Sequence, residues 1–131
     1  MITTSDIADI LFEACASFGI EDMYRKGFIP EGAVSSERVV ILPKNQTTAT
    51  YWKKGFVEIN LCVPNITEGV ADIARLQELE RQAMDILDGR TGEYDSSHYR
   101  FGVESIEGVL RDDDTKCHFV NVRILFEVLN C

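Results

Sequence analysis

The sequence predicts an α+β domain in which two helices pack on one face of a mostly antiparallel sheet of four to five strands. Three observations predict it. Two segments carry apolar residues at helical spacing, several others alternate apolar and polar residues, and polar turn segments separate them in the order helix, loop, hairpin, helix, hairpin. The chain has 131 residues, 45% of them hydrophobic, and no internal repeat or linker. We therefore expect a single domain over residues 1–131.

The first helix is predicted over residues 5–18. It follows a Thr/Ser cluster suited to capping and ends before Gly19. One stripe of this helix is apolar: Ile7, Ile10, Leu11, Ala14, Cys15 and Phe18. Cys15 lies in that stripe, so we expect it to pack in the core rather than react.

A long hairpin is predicted next. Residues 20–36 mix short apolar pieces with Gly and Pro, which indicates a loop with a short edge strand. Residues 37–43 are rich in Val and Ile and end at a proline, and residues 44–50 are polar turn material. The alternating segment 52–66 then completes the hairpin.

The second helix is predicted between residues 65 and 89. Its apolar residues recur every three or four positions and Gly89 follows its end. The predicted buried stripe is Ile73, Leu76, Leu79, Ala83, Ile86 and Leu87.

The C-terminal third is predicted to form a second hairpin. A polar loop at 90–97 leads into a strand at 98–110, whose alternation slips near Ser105 and Gly108, as a β-bulge would cause. Residues 117–130 alternate without a fault.

Charge and hydropathy exclude several classes of partner. The net charge of -9 opposes nonspecific attraction to nucleic acid or to an anionic membrane. No segment approaches the ~20 apolar residues that span a bilayer. The start, MITTSDIADI, lacks the basic segment and apolar run of a secretory signal, so we expect the chain to be made and kept in a cytoplasm.

No catalytic, cofactor-binding or metal-binding residue is predicted. The four cysteines have no CxxC or zinc-site spacing and are expected to be free thiols. The acidic run 112–114 lacks the spaced ligands of a calcium-binding loop. The adjacent Cys and His at 117–118 point to opposite faces of a strand, so they cannot act together as nucleophile and base. His98 has no visible nucleophile or acid committed to it, so a catalytic role is not predicted. The glycines in residues 89–92 follow a helix instead of preceding one, so this segment is not predicted to bind phosphate. The lysine pair at 53–54 is too small a positive patch to predict a nucleic-acid site.

The face of the sheet that the helices do not reach is predicted to be an interface. Two helices side by side are about 20 Å wide, and four or five strands span about 20 to 24 Å, so the helices can cover only one face. Leaving large apolar side chains in water on the other face forgoes roughly 1.5 to 3 kcal/mol for each. The predicted interface residues are Trp52, Phe56, Glu58, Arg100, Phe119, Arg123, Leu125, Glu127 and Leu129. The alternative is that residues 20–36 fold back over this face.

The layout also resembles a known family. The N-terminal helix SDIADILFEACASF, the hairpin through WKKGFVEINLCVPN, the helix LQELERQAMDILDG and the closing strand HFVNVRILFEVLN are similar to the tail-terminator (tail completion, minor tail) proteins of long-tailed bacteriophages and prophages. The resemblance covers nearly the whole chain.

The resemblance implies a non-enzymatic virion protein assembled in the bacterial host cytoplasm. Such proteins form a ring, typically a hexamer, that caps the tail tube and joins it to the head connector. DNA passes through the lumen of the ring without specific binding, and the resemblance implies no cofactor. An acidic chain suits a wall that must not retain DNA.

A second hypothesis belongs to a different class. The chain could be a small ligand-binding domain or enzyme whose open sheet face forms a pocket around Arg100, Glu104, Arg123 and Glu127. The association state separates the two hypotheses, because a ring requires self-association and a pocket does not.

Overall fold

The computed structural model describes residues 2–25, 27–47 and 52–129, with the backbone alone for residues 45–47 and 52. Two α-helices are present in this part of the chain, α1 (Thr4–Cys15), which continues as a 3-10 turn (Ala16–Phe18), and α2 (Ile73–Leu87). Six strands accompany them: β1 (Asp22–Arg25), β2 (Arg38–Thr47), β3 (Trp52–Pro64), β4 (Arg90–Tyr94), β5 (Ser97–Asp112) and β6 (Cys117–Leu129).

All six strands belong to one sheet, in the order β1-β2-β3-β6-β5-β4. β1 runs parallel to β2, and every other neighbouring pair is antiparallel. The predicted α+β class with a mostly antiparallel sheet is confirmed. The sheet has six strands, close to the predicted four to five; the additional strand is β4, which lies in the segment expected to be the polar loop 90–97. A short edge strand open to solvent needs no apolar alternation, so this one looks like a loop in the sequence.

Helix α1 begins with a capping box. The Thr3 side chain accepts a hydrogen bond from the Asp6 backbone N–H at 3.2 Å, and the Asp6 carboxylate accepts one from the Thr3 N–H at 2.9 Å. The 3-10 turn ends at Gly19, whose φ of 73° lies in the left-handed region that favours glycine. Ile7, Ile10, Leu11, Cys15 and Phe18 are all buried, as the predicted stripe requires.

Helix α2 is shorter than the sequence predicts and buries most of the predicted stripe. Asp72 caps its N-terminus by accepting a hydrogen bond from the Arg75 N–H at 3.3 Å. Ile73 is 44% exposed, because burial begins one turn later in the helix. The buried residues of the helix are Leu76, Leu79, Ala83 and Leu87. No helix in the described part of the chain is long and apolar enough to cross a membrane.

The first hairpin is longer than predicted. β2 continues past Pro43 to Thr47, so residues 44–47 are strand and the predicted turn is wrong there; residues 48–51 lie outside the described part. The pairing of β2 with β3 shifts register between Pro43 and Gln46. A bulge is one of the few places where a sheet accommodates proline, which has no N–H to donate.

The predicted bulges in β5 are confirmed. Its pairing with β6 shifts between Val103 and Ser105 and again between Glu107 and Leu110. Val109, inside the second shift, has a φ of 58°, an unusual backbone conformation for a β-branched residue.

The core lies between the sheet and both helices. One cluster of buried residues joins the stripes of α1 and α2 to the inward side chains of β2, β3, β5 and β6. The inward residues of β6 are Val120, Val122, Ile124, Phe126 and Val128, each at most 3% exposed. Both helices therefore pack on one face, and the opposite face of the central strands carries neither.

Candidate functional site on the open sheet face

The open face is formed by alternate residues of β2, β3, β6 and β5. The register of β3 and β6 places predicted interface residues opposite one another: Trp52 faces Leu129, Phe56 faces Leu125, and Glu58 faces Arg123. Directly opposite side chains on neighbouring strands are close enough to interact. The structure thus brings most of the predicted residues together on one surface.

The apolar residues of this face are half-buried. Phe56, Phe119, Leu125 and Leu129 retain intermediate exposure, so the expectation that they stand uncovered is only partly met. The guanidinium carbon of Arg123 lies 3.9 Å from the centre of the Phe56 ring. A cation at this position covers the ring and is attracted to its π-face. The side chain of Trp52 lies outside the described part.

Two acidic residues of the face, Glu58 and Glu127, form ion pairs within the chain. Glu127 accepts two hydrogen bonds from Arg100, at 3.1 and 3.3 Å, and its carboxylate also lies 3.7 Å from Lys54 Nζ. Its side chain is only 12% exposed, whereas Arg100 and Lys54 are 54% and 55% exposed. Glu58 pairs with Lys44 at 3.4 Å. These ion pairs therefore hold the Glu58 and Glu127 side chains in place before any partner binds.

One end of the face is covered by the chain itself. Val34 donates a backbone hydrogen bond to the Thr115 carbonyl at 2.7 Å and packs with Val40, Cys62 and Cys117 in a small second core. Of the alternative in which residues 20–36 fold back over the face, the structure shows only the contact of Val34 at this end, because Asp22–Arg25 form edge strand β1. The Phe56 and Leu125 end is not part of that second core.

The most exposed large apolar side chains lie elsewhere. A tight turn in which Ile66 N–H donates to the Val70 carbonyl at 2.9 Å leaves Ile66 and Val70 64% and 50% exposed, next to Ile73. Phe28, Ile29, Met84 and Val109 are also exposed. The sequence analysis did not predict this turn. Ile66 and Val70 are isolated apolar residues in a polar loop that contains a glycine and precedes a helix, and this pattern indicates an exposed turn.

Two hollows border the face. A shallow hollow of about 340 Å³ is lined by Arg100, Glu104, Leu125 and Glu127 together with residues 88–91; Arg123 does not line it. A larger hollow of about 640 Å³ lies at the other end, and its lining residues are Ala33, Val34, Pro64, Asn65, Thr67, Glu68, Gly69, Arg111, Asp113 and Lys116.

The predicted non-catalytic residues have ordinary surroundings. His118 is buried, with Nδ1 2.7 Å from the Asn65 side-chain oxygen. Asp112 accepts hydrogen bonds from the backbone N–H groups of Asp114 and Thr115, as expected of an acidic turn. The described residues contain no group of three or more His, Cys, Asp or Glu side chains that could hold a metal ion.

Comparison with known proteins supports the fold alone. No protein-family model and no curated protein matches the chain. Among solved structures, one protein without a functional name superposes with a TM-score of 0.65 over 95% of this chain and 92% of its own, at 11% sequence identity. The chain therefore shares its architecture with a protein of known structure, and identity this low says nothing about a shared function.

Proposed function

We propose that the protein is a non-enzymatic structural component of a phage or prophage tail, of the tail-terminator type. Identical copies assemble into a ring in the bacterial host cytoplasm, and the ring caps the tail tube and joins it to the head connector. The resemblance in element order supports this, and the observation that carries it is the open sheet face: half-exposed apolar residues interspersed with ion pairs.

The composition of the open face suits a contact between subunits. Phe56 and Leu125 still have apolar surface to lose, which favours association. Glu127 is already held by two cations, so docking needs little further side-chain ordering. Apolar contacts mixed with satisfied polar groups are typical of interfaces that form between folded subunits.

A closed ring needs a second surface. Head-to-tail contacts join two different patches, one from each neighbour, so the open face must meet something other than itself. The exposed turn with Ile66 and Val70, continued by Ile73 at the start of α2, is the strongest candidate for that second patch.

The acidic charge fits passage of DNA through the lumen. With a net charge of -9, the ring wall repels the phosphate backbone instead of retaining it. Ring variants with neutralised acidic residues should retard DNA passage; unaltered passage would argue against a role for this charge.

Size-exclusion chromatography with light scattering tests the ring. The wild-type protein should give a discrete oligomer at high concentration, and both Leu125→Glu and Ile66→Glu should reduce it to smaller species. Met84→Glu is the matched control, because Met84 is 45% exposed on α2, on the other side of the sheet from Leu125. Circular dichroism confirms that each variant is folded.

Two results would contradict the proposal. A wild-type protein that remains monomeric at high concentration cannot build the ring by itself. An oligomer that survives Leu125→Glu and Ile66→Glu but is lost in Met84→Glu assembles through the helical side instead.

The second candidate function is ligand binding at the shallow hollow beside β4. Its favouring observation is the convergence of Arg100, Glu104 and Glu127 on a hollow of about 340 Å³. A monomer whose melting temperature rises with a small charged ligand, and whose response disappears in Arg100→Gln, would support this candidate over the ring.

A further inference from the structure

Two cysteines meet on neighbouring strands at the covered end of the open face. Cys62 on β3 lies opposite Phe119, and Cys117 on β6 lies opposite Pro64, so the two are diagonal neighbours on the same face. Their side chains belong to one buried cluster, and each thiol shifts the pKa of the other. Cys62 Sγ lies 3.9 Å from the Asn60 carbonyl oxygen, to which it donates. Only 5% of Cys62 and 1% of Cys117 is exposed.

The surroundings distinguish the two sulfurs. Arg38 is the β2 partner of Cys62, and its charge acts on both thiols, while its buried Nε has no hydrogen-bond partner among the described residues. The Thr115 hydroxyl lies 3.1 Å from Cys117 Sγ. Asp112, the β5 partner of Cys117, opposes these effects with its negative charge.

The neighbouring groups shift the pKa values of the two thiols in opposite directions. Cys62 lowers the pKa of Cys117 to about 7, and Thr115 and Arg38 act in the same direction against burial and Asp112. Cys117 and burial raise the pKa of Cys62. Cys117 is therefore the thiol of the pair that ionises more readily.

We propose that Cys62 and Cys117 form a redox-active dithiol, which a peroxide converts into a disulfide between β3 and β6. The Cys117 thiolate attacks one peroxide oxygen, the O–O bond breaks, and the products are a sulfenic acid and hydroxide. The Cys62 sulfur then attacks the sulfenic sulfur, the S–O bond breaks, and the departing hydroxide takes the Cys62 proton. The hydroxide from the first step takes up the proton that Cys117 released on ionising, so the two thiols lose two electrons and the peroxide is reduced to two waters.

The oxidant reaches the pair through the larger hollow. Val34 packs against the two cysteines and also lines the hollow of about 640 Å³. The same hollow is lined by Pro64, which is opposite Cys117 in the sheet, and by Lys116, which precedes Cys117 in the sequence. Val34 thus belongs both to the lining of this hollow and to the buried cluster that contains the dithiol. Truncating that side chain should open the path.

The disulfide should be readily reversible. Diagonal neighbours in an antiparallel sheet have Cα atoms about 7 to 8 Å apart, wider than the usual disulfide range of about 4.4 to 6.8 Å. Closing the bond therefore requires a small shift of β3 against β6. A strained disulfide is more easily reduced than a structural one.

Peptide mapping of the full chain after peroxide treatment tests the proposal. Wild-type protein treated with hydrogen peroxide, alkylated and digested without reductant should give a cross-linked peptide pair containing Cys62 and Cys117. The denatured protein should lose two of its four thiols. Cys62→Ser and Cys117→Ser should each abolish the cross-link, whereas Cys15→Ser and Cys131→Ser should leave it unchanged.

The pH dependence identifies the nucleophile. With a Cys117 pKa of about 7, thiol loss should accelerate only about tenfold from pH 6 to pH 8 and then level off. An ordinary thiol with a pKa of about 8.5 would accelerate roughly eightyfold over the same range and continue to rise. Thr115→Val, which removes the hydroxyl beside the sulfur, should slow the reaction a few-fold at pH 6.5.

Val34→Ala separates blocked access from absent chemistry. It should speed cross-linking in a folded protein. The proposal is overturned if neither wild type nor Val34→Ala forms the Cys62–Cys117 cross-link, or if Cys117 instead joins Cys131 or stops at a sulfinic acid. An eightyfold pH response without a plateau would equally overturn the assigned nucleophile.

Discussion

Arg123 lies over the ring of Phe56, with its guanidinium carbon 3.9 Å from the ring centre. The two residues stand on neighbouring strands, where Arg123 is opposite Glu58 and Phe56 is opposite Leu125. The aromatic ring on the open face is thus shielded by a charged side chain from a diagonal position. This contact explains how the single chain tolerates an aromatic residue on its solvent side.

The Arg123–Phe56 contact should be measurable as a coupling free energy. A double-mutant cycle with Arg123→Gln and Phe56→Leu should give about 0.5 to 1 kcal/mol, the usual strength of a cation–π contact at an exposed site. Urea unfolding at a concentration where the protein is dissociated provides the measurement. Phe56→Leu combined with Arg81→Gln, on the far side of the sheet, should be additive; similar coupling in both cycles would contradict a direct contact.

Glu127 should contribute more to stability than its neighbour Glu104. Glu127 is mostly buried and holds both Arg100 and Lys54, whereas Glu104 is exposed and has no ion pair among the described residues. Glu127→Gln should lower the free energy of unfolding by about 1 kcal/mol, and Glu104→Gln by less than about 0.5 kcal/mol. Equal effects in urea unfolding would show that the two cations do not stabilise Glu127.

Gly92 should be intolerant of a side chain. A Cβ at this position would lie 2.3 Å from Tyr99 Oη and 2.5 Å from its ring carbon Cζ. The Tyr99 ring cannot easily move, because it stacks on Phe126 with ring centres 5.3 Å apart. Gly92→Ala should therefore cost about 1 to 3 kcal/mol in thermal or urea unfolding.

A second-site change checks the cause. In a Tyr99→Leu background, which removes both clashing atoms, Gly92→Ala should cost much less. In a Tyr99→Phe background it should remain costly, because the ring carbon is still present. Equal costs in all three backgrounds would mean that the backbone, and not the tyrosine, excludes alanine.

The capping box of α1 should give a pH-dependent contribution to stability. The Thr3 backbone N–H, with help from the Thr3 hydroxyl and Tyr94, lowers the pKa of Asp6 below its ordinary value of 3.8. A carboxyl group whose pKa is lower in the folded state stabilises it fully above the unfolded pKa and loses this effect as pH falls through the folded pKa. Asp6→Asn should therefore be less stable than wild type at pH 7, and the difference should begin to shrink as pH falls below about 4.

Thr3→Ala provides the comparison for this helix end. It should cost about 1 kcal/mol, because the Asp6 N–H loses its acceptor. The Thr3 backbone N–H still donates a hydrogen bond to the Asp6 carboxylate in this variant. Most of the loss of stability at acid pH should therefore persist. Identical pH profiles for Asp6→Asn and wild type would show that the carboxylate is not stabilised in the fold.

The sequence by itself determined the elements whose burial follows a local period. The stripe of α1, most of the stripe of α2 and the inward residues of β6 were predicted because each element buries one face along its whole length. The bulges of β5 were visible because they interrupt an alternation that is otherwise regular. Local periodicity reports solvent exposure averaged along one element, and it succeeds wherever that exposure is uniform.

Tertiary structure alone decided which residues meet. β4 exists because β5 pairs with it, and its own residues carry no strand pattern. Arg123 covers Phe56, Val34 covers one end of the open face, and Cys62 meets Cys117 because the register of distant strands aligns them. Register is set by the whole sheet closing on its core, so no segment read by itself contains it.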